Sequence, residues 1–287
     1  MMLSIFTPSY NRAESLPRLY RSLLAQSCYD FEWLIIDDGS TDYTADVVMG
    51  FTGEGHFPIR YLRKENGGKH TAHNLALQEA RGEWFLCVDS DDVLAPTAVA
   101  DLLDAVQPDI NGIVSYKTDF SGKYLCGEFP PDLKAEKFYR LSMIHGCNGE
   151  YTLAFPTPFV KKFPFPVFEG ERFMGESVIY DQMDMLGYML LLPKVITLCE
   201  YQSDGLSNHY YSLMKKNPCG FCLYFLQRID LQQRFFQRLI CAVKYHCFRL
   251  ICGNRALCYT GKHRVLVALA APLGPVFRLY YKLFRKI

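Results

Sequence analysis

The sequence has no uncharged apolar stretch long enough to cross a lipid bilayer. The run Val265–Phe277 carries no charge, but it has only 13 residues and contains two prolines and a glycine. A transmembrane helix needs about 20 apolar residues, so this run is not expected to span a membrane. The chain also begins in a strand-like segment without a basic region followed by an apolar one, so we expect no secretory signal.

The eleven cysteines do not form a recognisable disulfide or zinc pattern. Several of them, including Cys87, Cys199 and Cys241, lie inside apolar runs. Such positions favour reduced, buried thiols in a cytosolic protein. Cys219-Gly220-Phe221-Cys222 is a single C-x-x-C without a matching second pair, so neither a zinc site nor a redox role is expected there. Internal repeats and low-complexity linkers are also absent.

Acidic residues are almost missing from the end of the chain. Residues 221–287 contain 12 Lys and Arg against one acid, Asp230, a net charge of +11. Residues 1–220 contain 19 Lys and Arg against 29 Asp and Glu, a net charge of −10. From Phe225 to Ile251, apolar residues recur at helical spacing with cations on the other faces.

This pattern suits the surface of an anionic membrane, where basic amphipathic helices lie in the headgroup region. We therefore predict that residues 216–287 form a basic amphipathic helical tail that binds an anionic membrane surface, mainly through residues 221–287. The alternative is a helical appendage packed on the rest of the chain, with or without a partner subunit. Nucleic-acid binding is not expected, because no recognised binding module accompanies the charge.

Four apolar segments alternate with helical patterns in the first hundred residues. The predicted strands are residues 3–7, 31–36, 59–62 and 84–88, and a polar loop follows each of them. This alternation is typical of a doubly wound, mainly parallel α/β sheet. Because parallel strands end at the same edge of the sheet, the four loops should converge there.

The alternation weakens after Leu103. Further elements are predicted as strands over 112–116 and 123–129, a helix over 135–143, a helix opening at 175–177, and strands over 188–192 and 195–199.

The loop after the fourth strand holds three carboxylates within four residues, Asp89, Asp91 and Asp92. Carboxylates this close repel one another unless a cation or a proton relieves them. A hard divalent ion with oxygen ligands, itself bound to phosphate, is the simplest relief. The alternative is an acidic strand-to-helix turn in which Asp92 only caps the following helix.

Four segments in this order resemble the family 2 glycosyltransferases of the GT-A fold. They are Thr7-Pro8-Ser9-Tyr10-Asn11-Arg12, Asp37-Asp38-Gly39-Ser40-Thr41-Asp42, Asn66-Gly67-Gly68-Lys69 and Asp89-Ser90-Asp91-Asp92. The likeness covers residues 3–105, and the segments Gly175-Glu176-Ser177 and Asp204-Gly205-Leu206-Ser207 extend it to about residue 210. It implies inverting transfer of a sugar from a nucleotide-sugar donor, usually a UDP-sugar, with Mn²⁺ or Mg²⁺ as the cofactor.

The resemblance implies that residues 1–105 bind the nucleotide sugar and that residues 106–215 bind the acceptor. Arg12 would face the phosphates, Asp38 would accept a hydrogen bond from the uracil ring, and Lys69 would offer a cation. The full implied donor site is Thr7, Pro8, Tyr10, Asn11, Arg12, Asp38, Asn66, Gly68, Lys69, Asp89 and Ser90. The alternatives are a helix-capping role for Asp38 and a plain exposed turn at 66–69.

The same resemblance implies the metal ligands. Asp91 would bind the cation directly, Asp89 would act through water or the ribose, and Asp92 would assist or cap. His209 would complete the coordination, with a solvent-facing loop histidine as the alternative reading.

An inverting transfer needs a general base for the acceptor hydroxyl. Relatives place a Glu-Asp pair at a helix start, but here the pair reads Glu176-Ser177. Glu176 is the predicted base and Asp181 is the second choice. The alternative for Glu176 is a carboxylate favoured at a helix N-terminus.

These readings combine into an enzyme on the cytoplasmic face of a membrane, bound peripherally and extending a lipid-linked acceptor or a polysaccharide. Two other functions are considered. A nucleotidylyltransferase would carry a glycine-rich loop after the first strand, and Thr7–Arg12 contains no glycine. A scaffold that binds the donor without catalysis is consistent with the departure at Ser177. Homo-oligomerisation stays open.

Overall fold

A computed structural model of the chain describes residues 2–199, 210–255 and 257–285. Within that range the chain divides into two compact units. The first unit contains residues 2–164 and 182–199, and the second contains residues 165–181 and those from 210 onward.

The first unit is built around a nine-stranded sheet. The strands are β1 Leu3–Ser9, β2 Phe31–Asp37, β3 Ile59–Arg63, β4 Trp84–Cys87, β5 Val93–Leu94, β6 Ile113–Asp119, β7 Ala135–Glu136, β8 Tyr151–Pro156 and β9 Met189–Cys199. Their spatial order is β3-β2-β1-β4-β8-β6-β9-β5, and β7 pairs with β9.

Short helices connect these strands, and a longer series of helices belongs to the second unit. The first unit contains α1 Leu16–Leu24, α2 Thr44–Glu54, α3 Lys69–Glu79, α4 Ala98–Asp104, α5 Phe138–Met143 and α6 Thr157–Val160. Helix α7, Ser177–Asp184, runs across the boundary between the units. The second unit continues with α8 Tyr210–Lys216, α9 Pro218–Leu231, α10 Phe235–Cys252, α11 Arg264–Ala270 and α12 Leu273–Tyr280, followed by a π-helical turn, Tyr281–Arg285.

The parallel half of the sheet fixes the position of the polar loops. Every residue of β2 is buried, as expected for a strand of a parallel sheet covered on both faces. β1 pairs in parallel with β2 and also with β4, where Leu3 lies opposite Trp84 and Phe6 opposite Cys87. The loops after β1, β2 and β4 therefore leave the sheet at one edge.

The predicted α/β fold is confirmed, but the sheet is mainly parallel only in its first half. β3, β2, β1 and β4 are parallel neighbours, whereas β8 pairs antiparallel with both β4 and β6. β9 is parallel to β6 and antiparallel to β5 and β7. The sheet is therefore mixed, because the strands after α4 enter it in both directions.

Three predicted elements differ from the structure. Segment 123–129 makes only isolated bridges, Thr118 to Tyr124 and Cys126 to Gly149, so it is not a strand. The predicted helix over 135–143 divides into β7 and α5. The two predicted strands over 188–199 form the single strand β9, whose register against β6 shifts past Pro193. Proline has no N–H for the ladder, which explains the irregularity at that point.

The second unit has its own apolar core, in which α9 packs against α10. Phe221, Phe225, Ile229, Tyr245 and Phe248 are among its buried members. Cys219 of α9 and Cys252 of α10 form a disulfide, so the expectation of reduced thiols is wrong for this pair. The two Cα atoms lie 5.4 Å apart, which suits a disulfide. Cys219 thus pairs across helices and not with Cys222 of the C-x-x-C sequence.

Segment 165–181 belongs to the second unit because its polar groups bind the start of α9. The Glu171 carboxylate accepts hydrogen bonds from the N–H groups of Cys219 and Gly220, at 2.8 and 2.9 Å. The Asn217 side chain accepts the N–H groups of Arg172 and Phe173, at 2.8 and 2.9 Å. The units therefore differ in their bounds from the predicted domains 1–105, 106–215 and 216–287.

No described helix combines the length and the apolar character that a membrane span requires.

Candidate active site

The loops after β1 and β2 are joined by hydrogen bonds. The Asn11 side chain accepts the N–H of Thr41 at 2.8 Å, and the Asn11 N–H donates to the Ser40 hydroxyl at 2.9 Å. The Arg12 N–H donates to the Thr44 hydroxyl at 2.9 Å. Asn11 has a left-handed backbone, with φ 53°, a conformation that Asn tolerates better than most residues. These bonds fix the start of the loop that carries Arg12.

Asp38 joins the loop after β2 to the loop after β3. Its carboxylate accepts the N–H groups of Gly67 and Gly68, at 3.0 and 2.6 Å, and pairs with the Lys64 ammonium at 2.6 Å. A Cβ at Gly39 would lie 3.0 Å from the Asn66 nitrogen, so glycine permits the close approach of the two loops. Asp38 is buried, and its predicted contact with uracil stays a prediction.

Asp38 does not cap α2. The N–H of Thr44, at the start of that helix, donates to Asp42 at 3.0 Å. Asp37 stabilises the loop after β2, because its carboxylate accepts hydrogen bonds from the Ser40 N–H, at 2.7 Å, and from the hydroxyl of Tyr61.

The acidic loop after β4 is partly neutralised by two lysines. The Lys69 ammonium lies 2.6 Å from an Asp89 oxygen, and the Lys117 ammonium lies 2.8 Å from an Asp92 oxygen. Lys117 is also 3.7 Å from Glu150. The repulsion predicted from the sequence is therefore relieved in part by the protein's own cations.

Burial and these cations act in opposite directions on the two carboxyls. Burial raises the pKa of Asp92 to about 6, in spite of the nearby Lys117 charge. Burial would also raise the pKa of Asp89, but the charges of Lys69, Lys117 and Arg12 together hold it below its usual value. Arg12 is thus close enough to the acidic loop to act on it electrostatically.

Asp91 differs from its two neighbours. Its backbone oxygen accepts a hydrogen bond from the Arg18 guanidinium at 2.6 Å, and within the described residues its carboxylate makes no ion pair. The carboxylates of the acidic loop do not converge into a three-ligand cluster. Among described residues only Glu171, Cys219 and Cys252 bring three ligand atoms within 4.8 Å of one another, and those two cysteines are joined in the disulfide.

Asp91 nevertheless fits a divalent cation held together with a substrate. Mg²⁺ is commonly bound by one or two carboxylates plus the phosphates of its substrate. Asp91 is a partly buried carboxylate at this edge, two residues from the Asp89 that pairs with Lys69, and it matches that arrangement. His209 lies outside the described residues, as does the segment 204–207.

The remaining predicted donor-site residues are distributed between the core and the surface. The Thr7 side chain is fully buried and accepts the Trp33 indole N–H at 3.0 Å, so only its backbone could face a ligand. Ser90 is also buried, Pro8 is partly buried, and the Tyr10 ring is 48% exposed.

Glu176 and Asp181 belong to the second unit and have different surroundings. The Glu176 carbonyl accepts the N–H groups of Ile179 and Tyr180, both at 3.1 Å, so this residue opens α7. Asp181 is buried, and its two oxygens lie 2.6 and 2.8 Å from the guanidinium of Arg228. An Asp paired with a partly buried guanidinium is poorly suited to accept a proton, which favours Glu176 as the base.

Residues 173–175 and Ser177 line a cavity of about 200 Å³ in the second unit. Its walls include Phe173, Met174, Phe221 and Tyr224. Glu176 therefore lies in a segment that borders a recess of mainly apolar side chains.

Sequence reasoning missed Lys117. A lysine directly after the predicted strand 112–116 is the available signal, because a cation in a buried strand requires a partner. Its partner, Asp92, is distant in sequence and could not be identified without the sheet topology.

Comparison with known proteins supports the resemblance. Residues 4–142 match the family described as Glycosyl transferase family 2. Glycosyltransferase GlyG of Streptococcus pneumoniae is 26% identical over 203 residues, which is 68% of this chain and 67% of that protein. Other curated relatives reach 35–40% identity over 98–118 residues. The chain spans from 10% to 67% of the length of these first relatives.

Two solved structures show the same fold at low sequence identity. Staphylococcus aureus TarS 1–349 in complex with UDP-GlcNAc has a TM-score of 0.61 and 17% identity, and the match covers all of this chain and 92% of that one. GalNAc-T7 with UDP, GalNAc and Mn²⁺ has a TM-score of 0.61 and 13% identity, and the match covers all of this chain and 57% of that one. The family match, the GT-A neighbours and the order of the polar loops lead to one conclusion. Residues 4–142 form a family 2 glycosyltransferase domain, and the chain has the GT-A fold.

Proposed function

We propose that this chain transfers a sugar from a UDP-sugar donor to an acceptor hydroxyl, with inversion and with the help of a divalent cation. The observation that carries the proposal is the set of side-chain contacts that join four strand-end loops at one edge of the sheet. Asn11 binds the loop after β2, Asp38 binds the loop after β3, and Lys69 binds Asp89 of the loop after β4. Ligands of α/β sheets bind at this edge.

Each group has a role in this proposal. Arg12 and Lys69 provide positive charge for the diphosphate, and Asp38 uses its remaining lone pair to accept from the uracil ring. Asp91, with assistance from Asp89 and Asp92, holds Mn²⁺ or Mg²⁺. When bound, the cation offsets charge developing on the departing nucleoside diphosphate. TarS with UDP-GlcNAc and GalNAc-T7 with UDP and Mn²⁺ support the donor class and the cation.

Glu176 is the proposed general base, which removes the proton of the acceptor hydroxyl as that oxygen attacks the anomeric carbon. The proposed acceptor is a lipid-linked glycan or a polysaccharide, and the proposed location is the cytoplasmic face of a membrane. The basic end of the chain supports that location, since it carries 12 Lys and Arg against one acid.

The variant Asp91→Asn tests the core of this proposal. It keeps the shape of the side chain but removes the charge that would bind the cation. We expect the purified variant to lose turnover of UDP-sugars and the metal-dependent thermal stabilisation by UDP, while its fold is retained. Asp104→Asn, at an exposed position of α4, is the matched control and should behave as wild type. Full activity of Asp91→Asn, or of wild type in excess EDTA, would remove the metal from the proposal.

A donor-binding scaffold without catalysis is the second candidate, and Ser177 in place of the usual Asp favours it. The same measurements separate the two functions. A scaffold is stabilised by UDP-sugars but releases no UDP with any acceptor.

A further inference from the structure

Helices α11 and α12 with the following turn form a nearly continuous helical segment, residues 264–285. Ala271 and Pro272, between the two helices, both have right-handed helical backbone angles. At 1.5 Å per residue, the segment is about 33 Å long. It has two faces of opposite environment.

The inner face packs on α10. Its buried residues are Val267, Ala270, Gly274 and Tyr281. They are three, four and seven positions apart, which places them on one side of a helix. A Cβ at Gly274 would lie 2.7 Å from the Cβ of His246 on α10, so the two helices approach closely there. The segment is therefore held in place by its own packing, and its other face is free to meet a partner.

The outer face is apolar although it is exposed. We define it by six residues, Val265, Leu269, Leu273, Val276, Leu279 and Leu283, whose exposed fractions are 75, 71, 46, 64, 56 and 63%. They recur every three or four residues, so they form one stripe along the segment. A contiguous apolar stripe of this length on a surface marks a site of interaction.

Cations border this stripe, and the segment that carries it contains no acid. Lys262 and Arg264 are exposed at one end, and Arg278 and Lys282 are exposed along the second half. No Asp or Glu follows Asp230 in the sequence. A partner that covers the outer face must therefore be apolar in its interior and negatively charged at its edge.

We propose that the outer face inserts into the headgroup and upper acyl region of an anionic lipid bilayer, with the helical segment parallel to the membrane plane. The apolar stripe supplies the contact with acyl chains, and the bordering cations meet lipid phosphates. None of the described helices can span a bilayer, so the contact is an interfacial one. This inference deepens the proposed function by naming the surface that binds the membrane.

A second copy of the chain fits the outer face less well. A two-fold dimer places the same patch of both subunits together, so Arg278 and Lys282 would lie against a partner segment that carries cations and no acid. Charge complementarity therefore favours anionic lipid over self-association.

Vesicle sedimentation of the full chain tests the proposal. We expect wild type to bind vesicles containing about 30% phosphatidylglycerol far better than vesicles of pure phosphatidylcholine, and to bind them less well as salt rises. The double variant Leu269→Asp/Val276→Asp should bind the anionic vesicles at least about ten-fold more weakly, because two charges must then enter the apolar region. The matched control is Met49→Asp/Leu186→Asp, which adds the same charge at positions 64 and 65% exposed in the first unit.

The control should bind the vesicles as wild type does. Equal binding by wild type and the outer-face variant would overturn the proposal, as would equal loss in the control. A lipid-free dimer of wild type that the outer-face variant converts to a monomer would also overturn it, since the face would then be a subunit interface. Thermal stabilisation by UDP should be unchanged in both variants. It is measured without lipid, so failure of the sugar-transfer proposal would be seen separately.

Discussion

Lys117 lies within β6, and its ammonium group is 2.8 Å from a carboxylate oxygen of Asp92. The lysine side chain is 14% exposed and that of Asp92 is 9% exposed, so both charges are largely removed from water. A buried pair of this kind contributes little compared with an apolar pair, but the loss of one partner is costly. Lys117 therefore positions Asp92 and does not need to touch a substrate.

Replacing Lys117 should show that the buried Asp92 carboxylate depends on this lysine. We expect Lys117→Met to lower the free energy of unfolding by about 3 kcal/mol, because Asp92 would remain buried without its partner. Urea unfolding followed by circular dichroism measures the change. Lys117→Met/Asp92→Leu should recover most of the loss, and Lys123→Met, at an exposed position, should have little effect. A single variant as stable as wild type would show that the pair does not hold the loop.

Glu176 and Asp181 should differ in what their replacement changes. Glu176→Gln should reduce kcat by about 10² or more with donor affinity nearly unchanged, because a general base acts in the transition state. Asp181→Asn should instead lower stability, since the partly buried guanidinium of Arg228 would lose its anionic partner, 2.6 Å away. Steady-state kinetics and urea unfolding of both variants test this. A stable Asp181→Asn with the kinetic defect, beside an active Glu176→Gln, would assign the base to Asp181.

At the scale of elements, the first four strand–helix units follow from the sequence because local signals agree. Each strand is an apolar run, and each loop ends in polar residues before a helical pattern. The prediction of a strand over 123–129 is wrong because the local signal and the tertiary pairing disagree there. The alternation of this segment resembles a strand, but its backbone makes only isolated bridges, although the Leu125 N–H donates to the carbonyl of Lys117 in β6. Strand formation there depends on tertiary partners that sequence periodicity does not contain.

The candidate site also has some residues that the local sequence reveals and others that only the tertiary structure brings together. The acidic loop, the Gly67-Gly68 turn and Asn11 are recognisable because special backbone or charge requirements appear in adjacent residues. The Arg228–Asp181 pair and the Lys117–Asp92 pair join residues 47 and 25 positions apart. Such pairs are created by packing, so the sequence alone predicts the carboxylates but not the cations that hold them.

Helix α3 carries a pH dependence of stability at His73. Its ring packs edge-on against Phe6 and Phe85, and burial, with a smaller effect of Lys69, lowers the pKa of His73 to about 3. Below about pH 6.5 the unfolded chain binds a proton at this residue that the folded chain does not bind until about pH 3. The stability contributed by neutral His73 is therefore present above pH 6.5 and decreases as the pH falls toward 3.

Replacing the imidazole should remove this dependence. Between about pH 7.5 and about pH 5.5, wild type should lose about 1.4 kcal/mol more of its free energy of unfolding than His73→Leu does. Urea unfolding of both proteins at the two pH values gives the difference directly, whatever the stability of the variant at either pH. Equal losses in the two proteins would mean that His73 takes up its proton in the folded state.

At the scale of the molecule, the two units differ in chemistry. The two tryptophans, Trp33 and Trp84, are both in the first unit. The disulfide between Cys219 and Cys252 is in the second, where the other described cysteines, such as Cys222 and Cys241, remain thiols. Tryptophan fluorescence therefore reports on the first unit, whereas far-ultraviolet circular dichroism also reports on the helices of the second.

Reduction of the disulfide should affect the second unit. After unfolding without reductant, nine of the eleven cysteines should react with a thiol reagent, and after reduction all eleven should react.

The disulfide closes a loop of 33 residues, and a loop of this size contributes about 3–4 kcal/mol by restricting the unfolded chain. We therefore expect dithiothreitol to shift the circular dichroism transition to lower urea more than it shifts the fluorescence transition. Cys219→Ser/Cys252→Ser should unfold like the reduced protein and be insensitive to dithiothreitol, whereas Cys258→Ser, at an exposed thiol, should respond as wild type does. If eleven thiols react before reduction, the pair is reduced and the expectation from the sequence is restored.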